Sequence, residues 1–197
     1  IEHLIKEYGI EEIHWDDDNF SLDKKNCHGI LDEIIGRKLD IKWATPNGIA
    51  LWAVDEALIE KMAKSGCYQL SFAVESGNQD FLIKKIKKPL NLSRVKPLLK
   101  KAKECGISVH AFFIIGFPGE TMEMIMDTLK FAGETGFDSV SIHMATPLLG
   151  TELYEICKEQ NLFVESYEVG KNQYEKGNIK TKEFTPEELG ELCQEYT

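Results

Sequence analysis

The chain has 197 residues, enough for one domain with a sizeable core, and its hydrophobic share of 43% is ordinary for a globular protein. A net charge of −10, with only two arginines, Arg37 and Arg94, argues against a partner built on a phosphate backbone, so no nucleic acid is expected. No apolar run is long enough to span a membrane and no signal peptide is recognised, so neither a membrane nor a secretory setting is expected.

The five cysteines, Cys27, Cys67, Cys105, Cys157 and Cys193, are never closer than 36 positions. That spacing excludes a metal or cluster site made from neighbouring cysteines. An odd count in largely apolar surroundings suits reduced cytoplasmic thiols packed as small hydrophobes.

In chain order, Ile1, Leu4, Ile5 and Tyr8 predict a helix with one apolar face, stopped by Gly9. The chain opens inside this helix, which reads as the start of a fragment. A strand is expected near Glu12 to Asp16. Asp23 caps a helix carrying Ile30, Leu31, Ile34 and Ile35 and stopped by Gly36. A strand near Ile41 to Thr45 follows. Asp55 then caps a helix with Leu58, Ile59 and Met62, ending at Gly66. The strand Gln69 to Glu75 comes next. Lys84, Lys85, Lys87 and Lys88 form a dense basic cluster before Pro89 and read as a solvated turn.

A helix from about Asn91 buries Val95, Leu98, Leu99 and Ala102 and ends at Gly106. The apolar run Ile107 to Ile115 breaks into Gly116-Phe117-Pro118-Gly119, then Glu120 and Thr121. This pattern is a buried strand, a tight turn and a capped helix running to about Thr135. Glycine lets the backbone approach a flat ligand there, and Glu120 places a carboxylate beside it. A last strand is expected near Asp138 to Met144. Then come a turn over Pro147 to Thr151, a helix with Leu153, Ile156 and Cys157, and a polar excursion over Val164 to Lys182. Thr185-Pro186-Glu187-Glu188 is a capping box opening a final helix.

Strand positions near Ile13, Ile41, Leu70, Val109 and Val140 are 28, 29, 39 and 31 residues apart, with a helix in each gap. That is the rhythm of βα units in a parallel sheet. Several strands have one apolar and one polar face. Leu70, Phe72 and Val74 oppose Gln69, Ser71, Ala73 and Glu75; Val140, Ile142 and Met144 oppose Ser141, His143 and Ala145. Parallel strands covered on both sides are usually apolar on both faces, so a barrel open to a ligand is expected over a flat doubly wound sheet. In such folds ligands sit beyond the C-terminal ends of the strands.

Four ordered segments resemble the radical S-adenosylmethionine (radical SAM) enzymes. They are Asp17-Asp18-Asn19-Phe20, Val74-Glu75-Ser76-Gly77, Ile114 to Thr121, and Pro147-Leu148-Leu149-Gly150-Thr151-Glu152-Leu153-Tyr154. Thr45-Pro46-Asn47-Gly48-Ile49 resembles the branch that often carries an N-terminal cobalamin-binding domain, which includes the anaerobic magnesium-protoporphyrin ester cyclase-like proteins. The resemblance implies an α/β, partial (βα)6 TIM-like barrel over residues 1–160, here without its first strand, and a C-terminal helical extension over 161–197. It further implies a [4Fe–4S] cluster on a Cys-x3-Cys-x2-Cys loop, which this chain lacks. A reductive cleavage of SAM to a 5′-deoxyadenosyl radical would follow in the intact protein, with oxidoreductase or cobalamin-assisted methyl-transfer chemistry. The partners implied are a small-molecule substrate and an electron donor such as flavodoxin or ferredoxin. The fragment alone is expected to be inactive and to self-associate through its exposed sheet edge, as a single monomeric species in sedimentation would disprove.

By the same resemblance, Glu75 binds the ribose or the amino-acid end of SAM. Asp17 and Asp18 stand where many members use a Gly-Gly-Glu motif for the amino group; that motif is replaced here, and a solvated turn is the other reading. Ile114, Gly116, Phe117, Pro118 and Glu120 match the adenine-contacting strand and turn, with Phe112 where the family often has glycine. Glu120 reads either as a ligand contact or as a brace for the next helix. His143 is a SAM or substrate contact, or a hydrogen-bonded core histidine. Two other functions fit the same residues. One is a metal-dependent hydrolase or lyase using Asp16, Asp17, Asp18, Glu75 and His143; the other is a degenerate, non-catalytic SAM-binding scaffold.

Overall fold

A computed structural model describes residues 1–17, 19–168 and 177–196. Eight helices and five strands are assigned among them: α1 (Glu2–Tyr8), β1 (Glu12–His14), α2 (Lys24–Gly36), β2 (Lys42–Ile49), α3 (Glu56–Lys64), β3 (Cys67–Glu75), α4 (Gln79–Lys84), α5 (Val95–Glu104), β4 (Ser108–Ile115), α6 (Met122–Thr135), β5 (Ser139–Met144), α7 (Glu152–Glu159) and α8 (Pro186–Tyr196). The strands form one five-stranded sheet in the order β1-β2-β3-β4-β5, the α/β fold expected from the βα rhythm. Strands β1, β2 and β3 pair in parallel.

Local chemistry sets most helix starts. The side chains of Asp23, Asp55, Thr121 and Thr151 accept from the backbone N–H of Asn26, Leu58, Met124 and Tyr154, as N-caps do. Thr185 and Glu188 exchange the two bonds of a capping box.

The chain divides into two compact units. The first comprises Ile1–Val74, Pro89–Ala111 and Phe137–Ser139. Its core has Trp43, Leu70, Phe72 and Val109 fully buried, along with Ile59, Met62 and Val95 of the helices. Helix α3 packs on α2 and α5. Trp43 donates from Nε1 to the Ser65 carbonyl at 3.0 Å, so the indole is buried with its polar atom satisfied. The second unit comprises Glu75–Lys88, Phe112–Gly136 and Val140–Thr197. Phe113 and Ile115 from β4, Ile125 and Leu129 from α6, and Phe184 and Leu189 from the C-terminal segment form its core.

Strand β4 shows the two-faced character expected. Val109, Ala111, Phe113 and Ile115 are all fully buried, while His110, Phe112 and Ile114 between them are half-buried. Strand β3 behaves alike at Leu70, Phe72 and Val74, although Ser71 on its polar face is buried too.

Four local expectations change. Strand β1 stops at His14. Strand β2 runs on to Ile49 through a register shift between Thr45 and Ile49, a bulge that alternation alone does not reveal. The apolar stripe of α1 is not buried: Leu4 is 42% and Tyr8 72% exposed. Amphipathicity says which face of a helix would pack, not that something packs on it. The lysine cluster is a solvated turn only at Lys85 and Lys87, since Lys88 is largely buried. Lys84 ends helix α4, which Asn78 caps by accepting from Phe81 N–H.

Candidate functional site

Val74 is the last buried residue of β3, and the backbone then turns sharply. Glu75 has φ +72°, the left-handed region that a side chain other than glycine rarely occupies. Such strain persists where surrounding structure over-determines it, often at functional sites. The determinants here are on α6. Gly77 N–H donates to Thr128 Oγ1 at 3.0 Å, Ser76 Oγ lies 3.2 Å from the same oxygen, and Asn78 Nδ2 donates to Asp127 Oδ2 at 2.9 Å.

That turn aims the Glu75 carboxylate at Lys88, whose Nζ donates at 2.8 Å. Both side chains are largely buried, Lys88 at 11% and Glu75 at 19% exposure. The neighbouring pair, Lys87 with Glu152, is 63% and 68% exposed. The two lysines therefore predict different outcomes. Lys88→Met leaves a buried carboxylate without its cation and is expected to cost about 2 kcal/mol. Lys87→Met is expected to cost less than about 0.5 kcal/mol. Urea unfolding of both variants measures the difference, and equal losses would contradict the buried pair.

The second turn follows β4. The Glu120 side chain is completely buried. Its Oε2 accepts from Gly116 N–H at 2.7 Å and Phe117 N–H at 3.0 Å. Oε1 is buried with no hydrogen-bond partner among the described residues. Burial pushes the Glu120 carboxyl up to about 7, against the lowering effect of the two amides. Of its two expected roles, the turn-bracing one is visible: it clamps the backbone of the Gly-Phe-Pro-Gly turn.

Ile114 and Phe117, on either side of Gly116, line a mainly apolar cavity of about 480 Å³ together with His143, Met144, Thr146 and Leu148. His143 is exposed on β5, and its ring lies 6.1 Å from that of Phe112, tilted by 35°. Phe117 also borders a second cavity of about 330 Å³, beside Pro118 and Lys85. A larger surface cavity of about 720 Å³ lies among α1 and α2 residues, where Arg37 bridges Glu2 and Glu33, and touches none of the motif residues.

Glu75, Ile114, Gly116, Phe117, Pro118, Glu120 and His143 thus all belong to the second unit, whereas Asp17 belongs to the first. Asp17 is exposed, and its Oδ1 accepts from Asn19 N–H at 2.8 Å, a local turn brace. Asp18 lies outside the described residues. Gly116 differs from expectation in what it makes room for. A Cβ there would stand 2.5 Å from Leu189 Cδ1, so the space is filled by the chain's own α8 rather than left for a ligand.

Sequence reading passed over Lys88, Thr128 and Leu189. Lys88 carried a signal, a lysine 13 positions after a strand-end acid, but nothing local told it from its neighbours. Thr128 and Leu189 carried none.

Residues 1–132 match the Radical SAM superfamily. The chain belongs to that superfamily. Among its relatives is a cytidylyl-2-hydroxyethylphosphonate methyltransferase from Streptomyces wedmorensis, 39% identical over 98% of this chain and 37% of that protein. The anaerobic magnesium-protoporphyrin IX monomethyl ester cyclase of Cereibacter sphaeroides is 25% identical over 96% of this chain and 31% of its own length. The chain therefore spans well under half of these relatives. Among solved structures, the radical SAM methyltransferase TsrM from Kitasatospora setae, with cobalamin and a [4Fe–4S] cluster bound, has a TM-score of 0.69 at 20% identity, covering 79% of this chain and 32% of that one. Coproporphyrinogen III oxidase HemN from Escherichia coli has a TM-score of 0.65 at 18% identity, covering 94% and 39%. The structural likenesses bear out the TIM-like partial-barrel fold, and the sequence relatives include the cyclase that the motifs resemble.

The superfamily uses SAM and a [4Fe–4S] cluster. The apolar cavity bounded by a clamped turn fits an adenosyl group. The cysteines of this chain do not fit a cluster. No two of the five lie closer than 36 positions, and burial pushes the Cys27 and Cys157 thiols up to about 11 and Cys67 higher still. Among the described residues no three His, Cys, Asp or Glu side chains could share a metal ion. No helix among them is long and apolar enough to cross a membrane.

Proposed function

We propose that this chain forms the SAM-binding part of a radical SAM methyltransferase acting on a small molecule, in the cobalamin-associated branch. The observation that carries the reading is the cavity between Ile114, Phe117 and His143, bordered by a turn whose amides are clamped to Glu120. Ile114 and Phe117 offer flat apolar walls for adenine. Glu75 and Lys88, a carboxylate and an ammonium 2.8 Å apart, match in charge the two ends of an amino-acid zwitterion. His143, exposed at the rim, is a polar contact for ribose or substrate.

The methyltransferase reading leans on the Streptomyces relative, which matches nearly the whole chain. A cluster held outside these 197 residues would supply the electron for SAM cleavage, drawn from a donor such as flavodoxin or ferredoxin. This chain's residues bind and orient the cofactor and keep water from its adenine face. Self-association through the β1 edge of the sheet is part of the same proposal.

Isothermal titration of SAM into the 197-residue chain tests the reading. Binding is expected, and Glu75→Ala is expected to weaken it about tenfold. A folded chain that takes up no SAM would refute the assignment.

A further inference from the structure

Helix α8 has one buried residue, Leu189, at 2% exposure. The feature it meets is the cofactor turn itself. Gly116 has φ +87°, and the place where its Cβ would stand is 2.5 Å from Leu189 Cδ1 and 3.7 Å from Phe184 Cε2. Leu189 makes no part of the cavity lined by Ile114, Phe117 and His143.

The approach to this contact is held firmly. Thr185 N–H donates to Glu188 Oε2 at 2.8 Å, and Glu188 N–H returns to Thr185 Oγ1 at 3.3 Å. This fixes the first turn of α8 just ahead of Leu189, whose own N–H donates to the Thr185 carbonyl at 3.2 Å. Before it, a Cβ on Gly177 would meet Pro186 Cβ at 2.7 Å and Met144 Sδ at 3.2 Å, so the incoming chain lies tightly against the end of β5. Phe184 is 2% exposed.

We propose that Leu189 is a positioning residue for the cofactor turn: α8 fixes Gly116 from the protein side, so that Ile114 and Phe117 present their side chains to the cavity at one spacing. The proposal rests on the SAM-binding reading above. It gives the C-terminal segment a task in binding although no residue of α8 borders the cavity. Two restraints of different kinds then meet at Gly116. Glu120 holds its N–H by hydrogen bonding, and Leu189 holds its Cα by contact. Small displacements of positioning groups have large effects on recognition.

The test uses Leu189→Ala, Leu189→Val and Leu189→Met in the full 197-residue chain, read by SAM titration and by amide hydrogen exchange. With Leu189→Ala, SAM affinity is expected to fall about tenfold, with Leu189→Met holding within about twofold of the native chain. Exchange at the Gly116 and Phe117 amides is expected to speed up about tenfold in Leu189→Ala, with the amides of α3 and α5 unchanged. If Leu189→Ala does not fold, Leu189→Val carries the comparison with a smaller shift in the same direction. A lowered melting temperature with native SAM affinity and native exchange at residues 116 and 117 would overturn the proposal and leave Leu189 as ordinary core. If the native chain binds no SAM, the cofactor reading fails, and the exchange data alone decide whether Leu189 holds the turn.

Discussion

Raising the pH from about 4.5 to 7.5 is expected to lower the stability of the native chain by about 3 kcal/mol relative to Glu120→Gln. The buried Glu120 carboxyl has its pKa raised to about 7 from an ordinary value of 4.5, chiefly by desolvation. The folded state therefore holds a proton that the unfolded state releases. The stabilisation from that proton is complete below the unfolded value and is lost as pH rises through the folded one. Glutamine carries no titratable proton but keeps a carbonyl oxygen for the Gly116 and Phe117 amides, so its stability should not share this slope. Glu120→Ala removes the acceptor altogether and is expected to cost about 3 kcal/mol at acidic pH, because two amides, one of them fully buried, lose their partner. Urea unfolding of the three proteins across this pH range gives the comparison. Parallel curves for the native chain and Glu120→Gln would mean that Glu120 is ionised throughout.

Gly77→Ala should be the most damaging single methyl addition in the second unit, at about 3 kcal/mol. An added Cβ would lie 2.6 Å from Phe131 Cβ, 2.7 Å from the Asp127 carbonyl oxygen and 2.8 Å from Thr128 Cα. Two of these atoms are α6 backbone and cannot swing aside, so the helix would have to move. It would then loosen Thr128 from the turn and disturb the geometry that aims Glu75 at Lys88. Gly119→Ala is the control. Nothing stands within 4 Å of its Cβ position, and only its left-handed φ of +83° opposes the change. That strain is worth about 1 kcal/mol. Denaturant unfolding that ranks the two variants equally would show that α6 and the turn after β3 are not in backbone contact.

Much of the fold is legible without coordinates because its determinants are local. Asp23, Asp55, Thr121 and Thr185 were each readable as caps, and each makes the capping bond, since a cap needs only its own next few residues. Alternation along β4 and β3 marks the buried face for the same reason. The missed helix α4 is only six residues long, too short for a periodic apolar face to stand out, and it ends at Lys84 just before the other lysines. The bulge in β2 depends on what β3 offers opposite it.

The sequence by itself determined the βα order, the apolar face of several strands, most of the helix caps and, through four ordered motifs, the superfamily. It also marked Glu75, Ile114, Gly116 and Glu120 as residues of interest, since the motifs are contiguous and carry their own register. Tertiary structure alone decided what those residues meet. Glu75 faces Lys88 because a left-handed residue and the turn after α4 bring together positions 13 apart. Gly116 meets Leu189, 73 positions later, because α8 returns to the end of β4. Glu120 turns its carboxylate inward to the Gly116 and Phe117 amides, and only burial raises its proton affinity. Such pairings depend on long-range packing, which leaves no periodic trace in the chain, whereas caps and strand faces are set within a few residues and therefore do.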